Sequence, residues 1–279
     1  MLDDVLALLR CPHCGLSLEG GAGSVRCANG HSFDVARQGY LSLLPGDAQL
    51  GSADTGEMVA ARERFLSAGH FDPLANALAA EADRALEDGP DGSILELGAG
   101  TGWYLSRVLE RLPGRAGLAL DLSKHALRRA ARAHRRIAAV AADAWQPLPV
   151  RDGTAALALS VFAPRNGAEL ARVLKPGGAL VVAVPNDRHL IELVEALGLL
   201  SVDERKRERL GTKLDPHLGP AVESRLEWKL ELSRADVRDA VTMGPSGVHA
   251  DPAALEQTVA ALPEPVAVTA SVEISVRRR

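Results

Sequence analysis

Short apolar runs alternate with amphipathic runs through the middle of the chain, between residues 93 and 185. The apolar runs predict buried β-strands, and the segments between them space their apolar residues as helices do. The predicted strands are Ser93–Leu97, Ala116–Leu120, Ile137–Ala141, Ala155–Val161 and Ala179–Val184. Strands that alternate with helices are typical of a parallel, doubly wound α/β sheet.

Helical and strand patterns also flank this region. Residues 54–89 have helical spacing with a break at Gly69 and Pro73, which predicts two helices, and Asp54 or Thr55 is placed to cap the first. After Pro185 the pattern predicts helices near 188–199, 234–242 and 251–261, and strands near 223–232 and 265–277. The two late strands are long and alternating, which suits an antiparallel edge on the parallel sheet.

Composition narrows the class of protein. Hydrophobic residues make up 47% of the 279 residues, which is ample for a buried core, and the net charge of -4 gives no global attraction for nucleic acid. Local basic patches can still bind phosphate. The chain lacks an apolar run of about 18 residues and the basic start of a signal peptide, so we expect no membrane segment and a cytoplasmic location.

All three cysteines lie near the amino terminus, and a histidine completes the group. The spacing is Cys11-x2-Cys14, twelve residues, then Cys27-x3-His31. Two ligand pairs on tight turns favour a tetrahedral zinc, and four protein ligands close its shell, which indicates a structural metal. The alternative is three buried thiols with an incidental histidine. We predict a zinc ribbon over residues 1–35, a connector and helix over 36–69, and the α/β domain over 70–279.

A glycine-rich turn follows the first predicted strand of the sheet. The stretch Ile94–Leu105, ILELGAGTGWYL, places Glu96, Gly98, Gly100, Thr101 and Gly102 between a strand and a helix. Glycines there allow a sharp turn and a close approach by a ligand.

Acidic residues end the next two predicted strands. Asp121, about 20 residues beyond the glycine turn, is placed to hold ribose hydroxyls, and Asp143, followed by Ala144, is placed to meet an adenine amino group.

Together these motifs, with the Lys-Pro-Gly-Gly turn at 175–178, resemble the Rossmann-like class I methyltransferases that use S-adenosylmethionine. The resemblance implies a mostly parallel seven-stranded sheet with an antiparallel edge. An NAD-dependent oxidoreductase is the alternative, but the glycine spacing is not that of its fingerprint.

Four stretches extend the resemblance nearly end to end: CPHCGLSL, CANGHSFDVARQGYLSLL, DTGEMVAARERFLSAGHFDPL and PNDRHLIEL. They are similar to the 23S ribosomal RNA guanine-N1-methyltransferases, and most similar to actinobacterial members that confer macrolide resistance. The resemblance implies a zinc ribbon that contacts RNA, a target guanine in a domain II hairpin of the exit tunnel, and a homodimer. It implies that Cys11, Cys14, Cys27 and His31 bind zinc, and that Gly100, Thr101 and His189 contact the cofactor.

Two positions depart from this pattern. Phe71 falls where a tyrosine cofactor contact is usual in one branch of the family, so the ring is kept and the hydroxyl is lost. The stretch Met243–Pro252 lacks a tryptophan that relatives often carry near Val248.

The chemistry of the target adds further candidates. Cysteine-dependent methylation of pyrimidine C5 is disfavoured because all three cysteines are assigned to zinc. Guanine N1 carries a proton at neutral pH, so a base or a cation must assist its methylation. Arg165 is the candidate for the guanine edge. Asp54, Glu57 and Asp143 are the candidates for the proton acceptor, and we predict that Asp54 and Arg165 are the catalytic residues.

Two basic stretches are candidates for contacts with phosphate: 124–136, and Arg205-Lys206-Arg207 with Arg209 and Lys213. Solvated helix faces are an equally good interpretation of both. Two further functions stay open: a small-molecule methyltransferase of antibiotic biosynthesis, and a cofactor-binding regulator without catalysis. The sequence leaves undecided which of two neighbouring guanines is modified, whether the role is resistance or housekeeping, and where the dimer interface lies.

Overall fold

A computed structural model describes residues 5–21, 23–46, 48, 51, 53–199, 214–244 and 252–279. Its centre is an eight-stranded sheet in the order β10-β11-β9-β8-β5-β6-β7-β4. The strands of this sheet are β4 (Leu41–Ser42), β5 (Ser93–Leu97), β6 (Gly117–Asp121), β7 (Ile137–Ala141), β8 (Ala155–Val161), β9 (Leu174–Pro185), β10 (Val222–Leu232) and β11 (Val266–Arg278).

The predicted mixed α/β sheet is confirmed. Strands β4 to β9 pair in parallel, whereas β11 pairs antiparallel with both β9 and β10, which makes the antiparallel edge. The predicted number of seven strands is wrong, because the connector adds β4 to the outer edge of β7. Leu41 pairs there with Val140 and is fully buried, so an apolar side chain stabilises this short eighth strand.

One strand begins earlier than the sequence predicts. The expected strand over Ala179–Val184 lies within β9, which already starts at Leu174. Leu174 pairs with Ala155 and Ala179 pairs with Leu157, so the Lys-Pro-Gly-Gly stretch forms an irregularity inside the strand rather than a turn before it. Gly177, with φ of +76°, allows this bend.

The helices of the described residues are α1 (Gly56–Ser67), α2 (Asp72–Glu87), α3 (Trp103–Arg111), α4 (Lys124–Ala133), α5 (Gly167–Val173), α6 (Ile191–Leu197), α7 (Arg234–Thr242) and α8 (Pro252–Ala261). Thr55 caps α1 by accepting the N–H of Met58 at 3.2 Å, and the break predicted at Gly69 separates α1 from α2. Within the described residues, no helix combines the length and apolarity that a membrane crossing requires.

The two faces of the sheet are covered differently. Helices α2, α3 and α4 pack on one face in a single core with alternate strand residues such as Ile94 and Ala119. On the other face, the intervening residues Leu95 and Leu118 share a core with the amino-terminal module. This alternation follows from the two-residue period of a strand that is buried on both sides.

The amino-terminal module is a three-stranded antiparallel sheet of β1 (Leu18–Gly21), β2 (Ser24–Cys27) and β3 (Ser32–Asp34). Leu9 is fully buried and forms an isolated bridge to Val150, and the N–H of Arg10 donates to the carbonyl of Pro149 at 3.0 Å. Residues 142–154, between β7 and β8, contain no helix. The module therefore covers the sheet where a crossover helix commonly lies.

Candidate functional site

A cavity of about 290 Å3 lies at the carboxyl ends of the central strands. The order of the sheet reverses between β5 and β8, and this crevice is the usual place for a ligand in an open α/β sheet. The strands or the residues directly after them supply part of its wall: Leu97, Leu120, Ala142 and Val161.

The glycine turn forms one side of the cavity, and Gly98, Gly100 and Thr101 line it. Gly98 has φ of +69°, and a Cβ there would lie only 2.4 Å from the Cβ of Ala163. A larger residue would therefore push apart the two loops that shape the cavity. Gly102 is the N-cap of α3 and does not line the cavity.

Asp121 ends β6 and lies against the glycine turn in the cavity wall. Its Oδ2 accepts the N–H of Gly100 at 2.8 Å, and its Oδ1 accepts the N–H of Ser123 at 2.8 Å. Burial raises the pKa of this carboxyl, and the two backbone N–H groups oppose that shift. Each oxygen keeps a lone pair with which it can accept a hydrogen bond from a ligand hydroxyl.

Asp143 and Ala144 follow β7 and also line the cavity. The Oδ1 of Asp143 accepts the N–H of Trp145 at 2.9 Å, which fixes the loop. The side chain of Trp145 lines the cavity and is nevertheless 55% exposed, so it lies at the rim.

Phe162 lies directly after β8 and lines the cavity while 39% exposed. Its φ is +53°, a left-handed conformation that is unfavourable for a bulky side chain. Its N–H donates to the carbonyl of Ala183 at 3.0 Å, so pairing with β9 holds the strained backbone. Backbone strain of this kind concentrates at functional sites.

Phe71 and His189, predicted to contact the cofactor, belong to one aromatic cluster with Phe162. Phe71 lines the cavity, whereas His189 does not; its ring centroid lies 5.9 Å from that of Phe71 and 5.7 Å from that of Phe162. Burial lowers the pKa of His189 to about 4, so the imidazole is neutral at pH 7. Its Nδ1 accepts the N–H of Ser271 at 3.2 Å, which places the ring proton on Nε2.

Glu96, the first residue of the glycine motif, is buried and does not line the cavity. Its Oε2 accepts the N–H of Leu105 at 3.2 Å, in the first turn of α3. Burial raises the pKa of Glu96 to about 8, and the nearby Asp121 carboxylate contributes. Its place in the structure is therefore beneath the turn, where it positions α3.

The two candidate catalytic residues lie in different surroundings. Asp54 lines the cavity and forms an ion pair with Arg62. Arg165 follows the cavity-lining Pro164, and its Nη1 is buried with no hydrogen-bond partner among the described residues. Burial lowers the pKa of this guanidinium. A buried donor without a partner is costly, which suits a group that meets a ligand. Glu57, the third candidate for the proton acceptor, is exposed and does not line the cavity.

Sequence reasoning missed two residues of this site. Arg62 lies in a helix whose pattern makes it look solvated, and only the fold brings it over the glycine turn. The position of Phe162 could have been predicted from the sequence. It directly follows a predicted strand, and neighbouring parallel strands end at the same edge of the sheet.

Cys11, Cys14, Cys27 and His31 meet at one end of the amino-terminal module. Their ligand atoms all lie within 4.8 Å of one another. The Sγ of Cys27 is 3.6 Å from that of Cys14 and 3.3 Å from Nδ1 of His31, and the Sγ of Cys11 is 3.5 Å from the same Nδ1. Atoms bound to one tetrahedral zinc are separated by about 3.5–3.8 Å, so this donor set fits that metal.

Local backbone structure holds these four residues in place. The N–H of Gly15 donates to the carbonyl of Cys11 at 2.8 Å, and the N–H of Gly30 donates to that of Cys27 at 2.9 Å. Burial opposes ionisation of Cys27, but hydrogen bonds from the backbone of His31 and from Cys14 and His31 lower its pKa to about 6. The thiolate form that metals require is thereby favoured at pH 7.

Some basic residues of the stretch 124–136 bond to other parts of the protein, whereas others are exposed to solvent. Arg136 is tied to the fold, since its Nη1 donates to the carbonyls of Leu112 and Arg115, and Arg129 pairs with Glu63 at 2.7 Å. Lys124, Arg132 and Arg135 are exposed. The second stretch, Arg205 to Lys213, and most of Met243–Pro252 with Val248 lie outside the described residues.

Two family models match the chain. Residues 9–49 match the zinc-ribbon model described as RlmA, N-terminal, and residues 94–178 match a model described as Methyltransferase domain. These matches confirm the predicted zinc ribbon and methyltransferase fold. The crystal structure of the YcgJ protein of Bacillus subtilis has a similar fold, with a TM-score of 0.50 and 14% identity over 73% of this chain and 98% of that one.

Full-length relatives are more informative. A putative 23S rRNA (guanine-N1)-methyltransferase of Micromonospora griseorubida is 50% identical over 99% of this chain and 98% of its own length. The 23S rRNA (guanine(748)-N1)-methyltransferase of Streptomyces fradiae is 48% identical over 100% of this chain and 99% of its own.

Proposed function

The chain belongs to the family of 23S rRNA (guanine-N1)-methyltransferases, and from that premise we propose that it transfers the methyl group of S-adenosylmethionine to N1 of a guanine in 23S rRNA. The observation that carries this function is the 48% sequence identity with the Streptomyces fradiae enzyme, which extends over the whole chain. The cavity at the carboxyl ends of β5 to β8 supplies a matching site on this chain.

The residues that line the cavity fit the cofactor in chemistry. Gly98 and Gly100 line the cavity without side chains, so a ligand can approach the turn closely. Asp121 accepts from ribose hydroxyls, and Asp143 accepts from the adenine amino group. When bound, the cofactor supplies an electrophilic methyl group on a sulfonium. The protein's part is to position the two reactants and to exclude water.

Phe162 and Trp145 suit the entry of the target base. Both rings line the cavity and are exposed at its mouth. A guanine that is splayed out of an RNA loop stacks readily on such rings. Phe162 is the better placed of the two, because its strained backbone is held by β9.

Arg165 would stabilise the negative charge that develops on guanine when N1 loses its proton. Its Nη1 is buried without a partner and so is ready to donate to an oxygen of the base. Asp54 is the proposed proton acceptor, because it lines the cavity and Asp143, the other candidate there, is assigned to the adenine amino group. The chain offers no free cysteine for a covalent route, because the three thiols lie together with His31.

Cys11, Cys14, Cys27 and His31 would hold a structural zinc, and four protein ligands would leave it no open position. The ribbon, together with the exposed Lys124, Arg132 and Arg135, would contact a domain II hairpin of 23S rRNA. We further propose a cytoplasmic homodimer with a role in macrolide resistance, supported by the resemblance of the sequence to resistance methyltransferases.

Primer extension on 23S rRNA tests the function. The RNA is incubated with the protein and S-adenosylmethionine, because a methyl group on guanine N1 blocks base pairing and stops reverse transcriptase. We expect a new stop in the hairpin that requires cofactor and is lost with Asp121→Ala. Binding of the cofactor without any stop would contradict the function, and would point to a small-molecule acceptor or to a regulator without catalysis.

A further inference from the structure

Arg62 is the one cationic side chain among the described residues that line the cavity. It projects from α1 over the glycine turn, where its Nη1 would lie 3.4 Å from a Cβ on Gly100. The side chain is 25% exposed, so it is partly shielded from solvent. A guanidinium that serves only to interact with solvent would normally be more exposed than this.

The charges of the cavity complement those of the proposed cofactor. Three carboxylates line the cavity beside Arg62, namely Asp54, Asp121 and Asp143. S-adenosylmethionine carries a positive sulfonium, a positive ammonium and one negative carboxylate. Its single negative group therefore has one cationic partner available in the described cavity wall.

The present contacts of Arg62 leave it able to bind the carboxylate of the cofactor. Its Nη1 pairs with the carboxylate of Asp54, and its Nη2 donates to the carbonyl of Met243 at 2.8 Å. A guanidinium has five N–H donors in a planar fork, so these two contacts leave donors for a further oxygen. The fork also matches both oxygens of a carboxylate.

We propose that Arg62 binds the carboxylate of the methionine part of S-adenosylmethionine, in exchange for or beside Asp54. The inference rests on the proposed cofactor. It gives the helix before the methyltransferase sheet a direct part in cofactor recognition. The exchange would free the Asp54 carboxylate, which agrees with its proposed role as proton acceptor.

The competing interpretation is that Arg62 only ties α1 to the segment after α7. The chain offers a matched control for this. Arg64 lies on the same helix and pairs with Asp239 of α7, with Nε 2.9 Å from Oδ2, and does not line the cavity. Arg64→Gln therefore removes a contact between α1 and α7, the helix that Met243 directly follows, without touching the cavity.

Calorimetric titration with two ligands separates these interpretations. S-adenosylhomocysteine carries the amino-acid carboxylate, and 5′-methylthioadenosine lacks it while keeping the ribose and adenine. For Arg62→Gln we expect about ten- to hundred-fold weaker binding of S-adenosylhomocysteine, the loss of a charge-assisted hydrogen bond, with methylthioadenosine binding unchanged. Arg62→Lys should recover part of the loss, and Arg64→Gln should change neither ligand.

Equal weakening of both ligands by Arg62→Gln, or no weakening of either, would overturn the inference and leave the cofactor assignment intact. A wild-type protein that binds neither ligand would overturn the cofactor assignment, and this inference with it. Thermal melts of each variant show whether the fold is kept, and Arg62→Lys carries the test if Arg62→Gln does not fold.

Discussion

Glu96 is a buried carboxyl whose ionisation opposes folding. Its pKa is raised by burial to about 8, whereas the unfolded chain releases this proton near 4.5. Between these values the unfolded state binds fewer protons, so the free energy of unfolding falls by about 1.4 kcal/mol per pH unit as pH rises. Glu96→Gln keeps an oxygen for the N–H of Leu105 and does not titrate.

We therefore expect the stability advantage of Glu96→Gln over wild type to grow steadily from pH 5 to pH 8. Urea unfolding at several pH values measures it, with Glu87→Gln, an exposed residue of α2, as control. Comparison with wild type at each pH cancels the contributions of other groups. A constant difference between the two proteins across this range would mean that Glu96 is ionised in the fold.

Arg165 gives a second prediction at the same scale. Because it does not line the cofactor cavity, Arg165→Gln should leave the dissociation constant of S-adenosylhomocysteine unchanged. Loss of a donor to developing negative charge should lower kcat for rRNA methylation by about 100- to 1000-fold. Steady-state assays over a range of RNA concentrations measure kcat and KM. A rise in KM for RNA with normal kcat would assign Arg165 to binding rather than to the chemical step.

Residues of local motifs could be predicted from the sequence, and residues brought in by tertiary structure could not. Asp121 follows its own strand, so the strand pattern alone puts it beside the glycine turn. Arg62 reaches the same turn only because α1 packs beside the cavity. The helical pattern of α1 does not indicate which part of the fold the helix contacts. The family resemblance alone points to His189, and its ring packs against Phe71 and Phe162 without lining the cavity.

At the scale of elements, the turn between β5 and α3 depends on the loop after β8. Gly98→Ala would bring a Cβ to 2.4 Å from the Cβ of Ala163, in addition to the strain of a left-handed φ. Gly114 is the matched control, since its φ is +84° and nothing lies within 4 Å of its Cβ position. Gly114→Ala should cost about 1–2 kcal/mol from backbone strain.

Gly98→Ala should cost about 1–3 kcal/mol more than this control, because overpacking adds to the strain. Chemical unfolding measures the stability, and titration with S-adenosylhomocysteine should show weaker binding for Gly98→Ala alone. Equal effects of the two substitutions would mean that the loop after β8 moves aside without cost.

Elements with a strong period were predictable, and the small irregular ones were not. The five central strands are predictable because each contains a short, mostly apolar run that is buried on both faces of the sheet. Strand β4 has only two residues, too few to show any period, and forms because β7 offers an open edge. The start of β9 was missed since the Lys-Pro-Gly-Gly stretch is typical of a turn.

At the scale of the whole molecule, the ribbon and the sheet share one core. Cys11, Cys27 and Phe33 of the ribbon lie in the same buried cluster as Leu95 and Leu118 of the sheet. Sequence division into domains does not show this shared surface, because each part has a plausible pattern of its own. Loss of the ribbon's structure would expose apolar residues on a face that no helix covers between β7 and β8.

Removal of the metal should therefore destabilise the methyltransferase sheet as well as the ribbon. All three tryptophans, Trp103, Trp145 and Trp228, lie beyond residue 69, so their fluorescence reports on the larger domain alone. We expect a chelator, or Cys14→Ser, to lower the Tm followed by tryptophan fluorescence, and added zinc to restore it after chelation. Because metal binding supplies folding energy to a module with three short strands, the ribbon unfolds without it, and the apolar face it covered becomes exposed to water. Chelation that released zinc and left this Tm unchanged would mean that the ribbon folds as an independent unit, and that the shared core contributes little to the stability of the sheet.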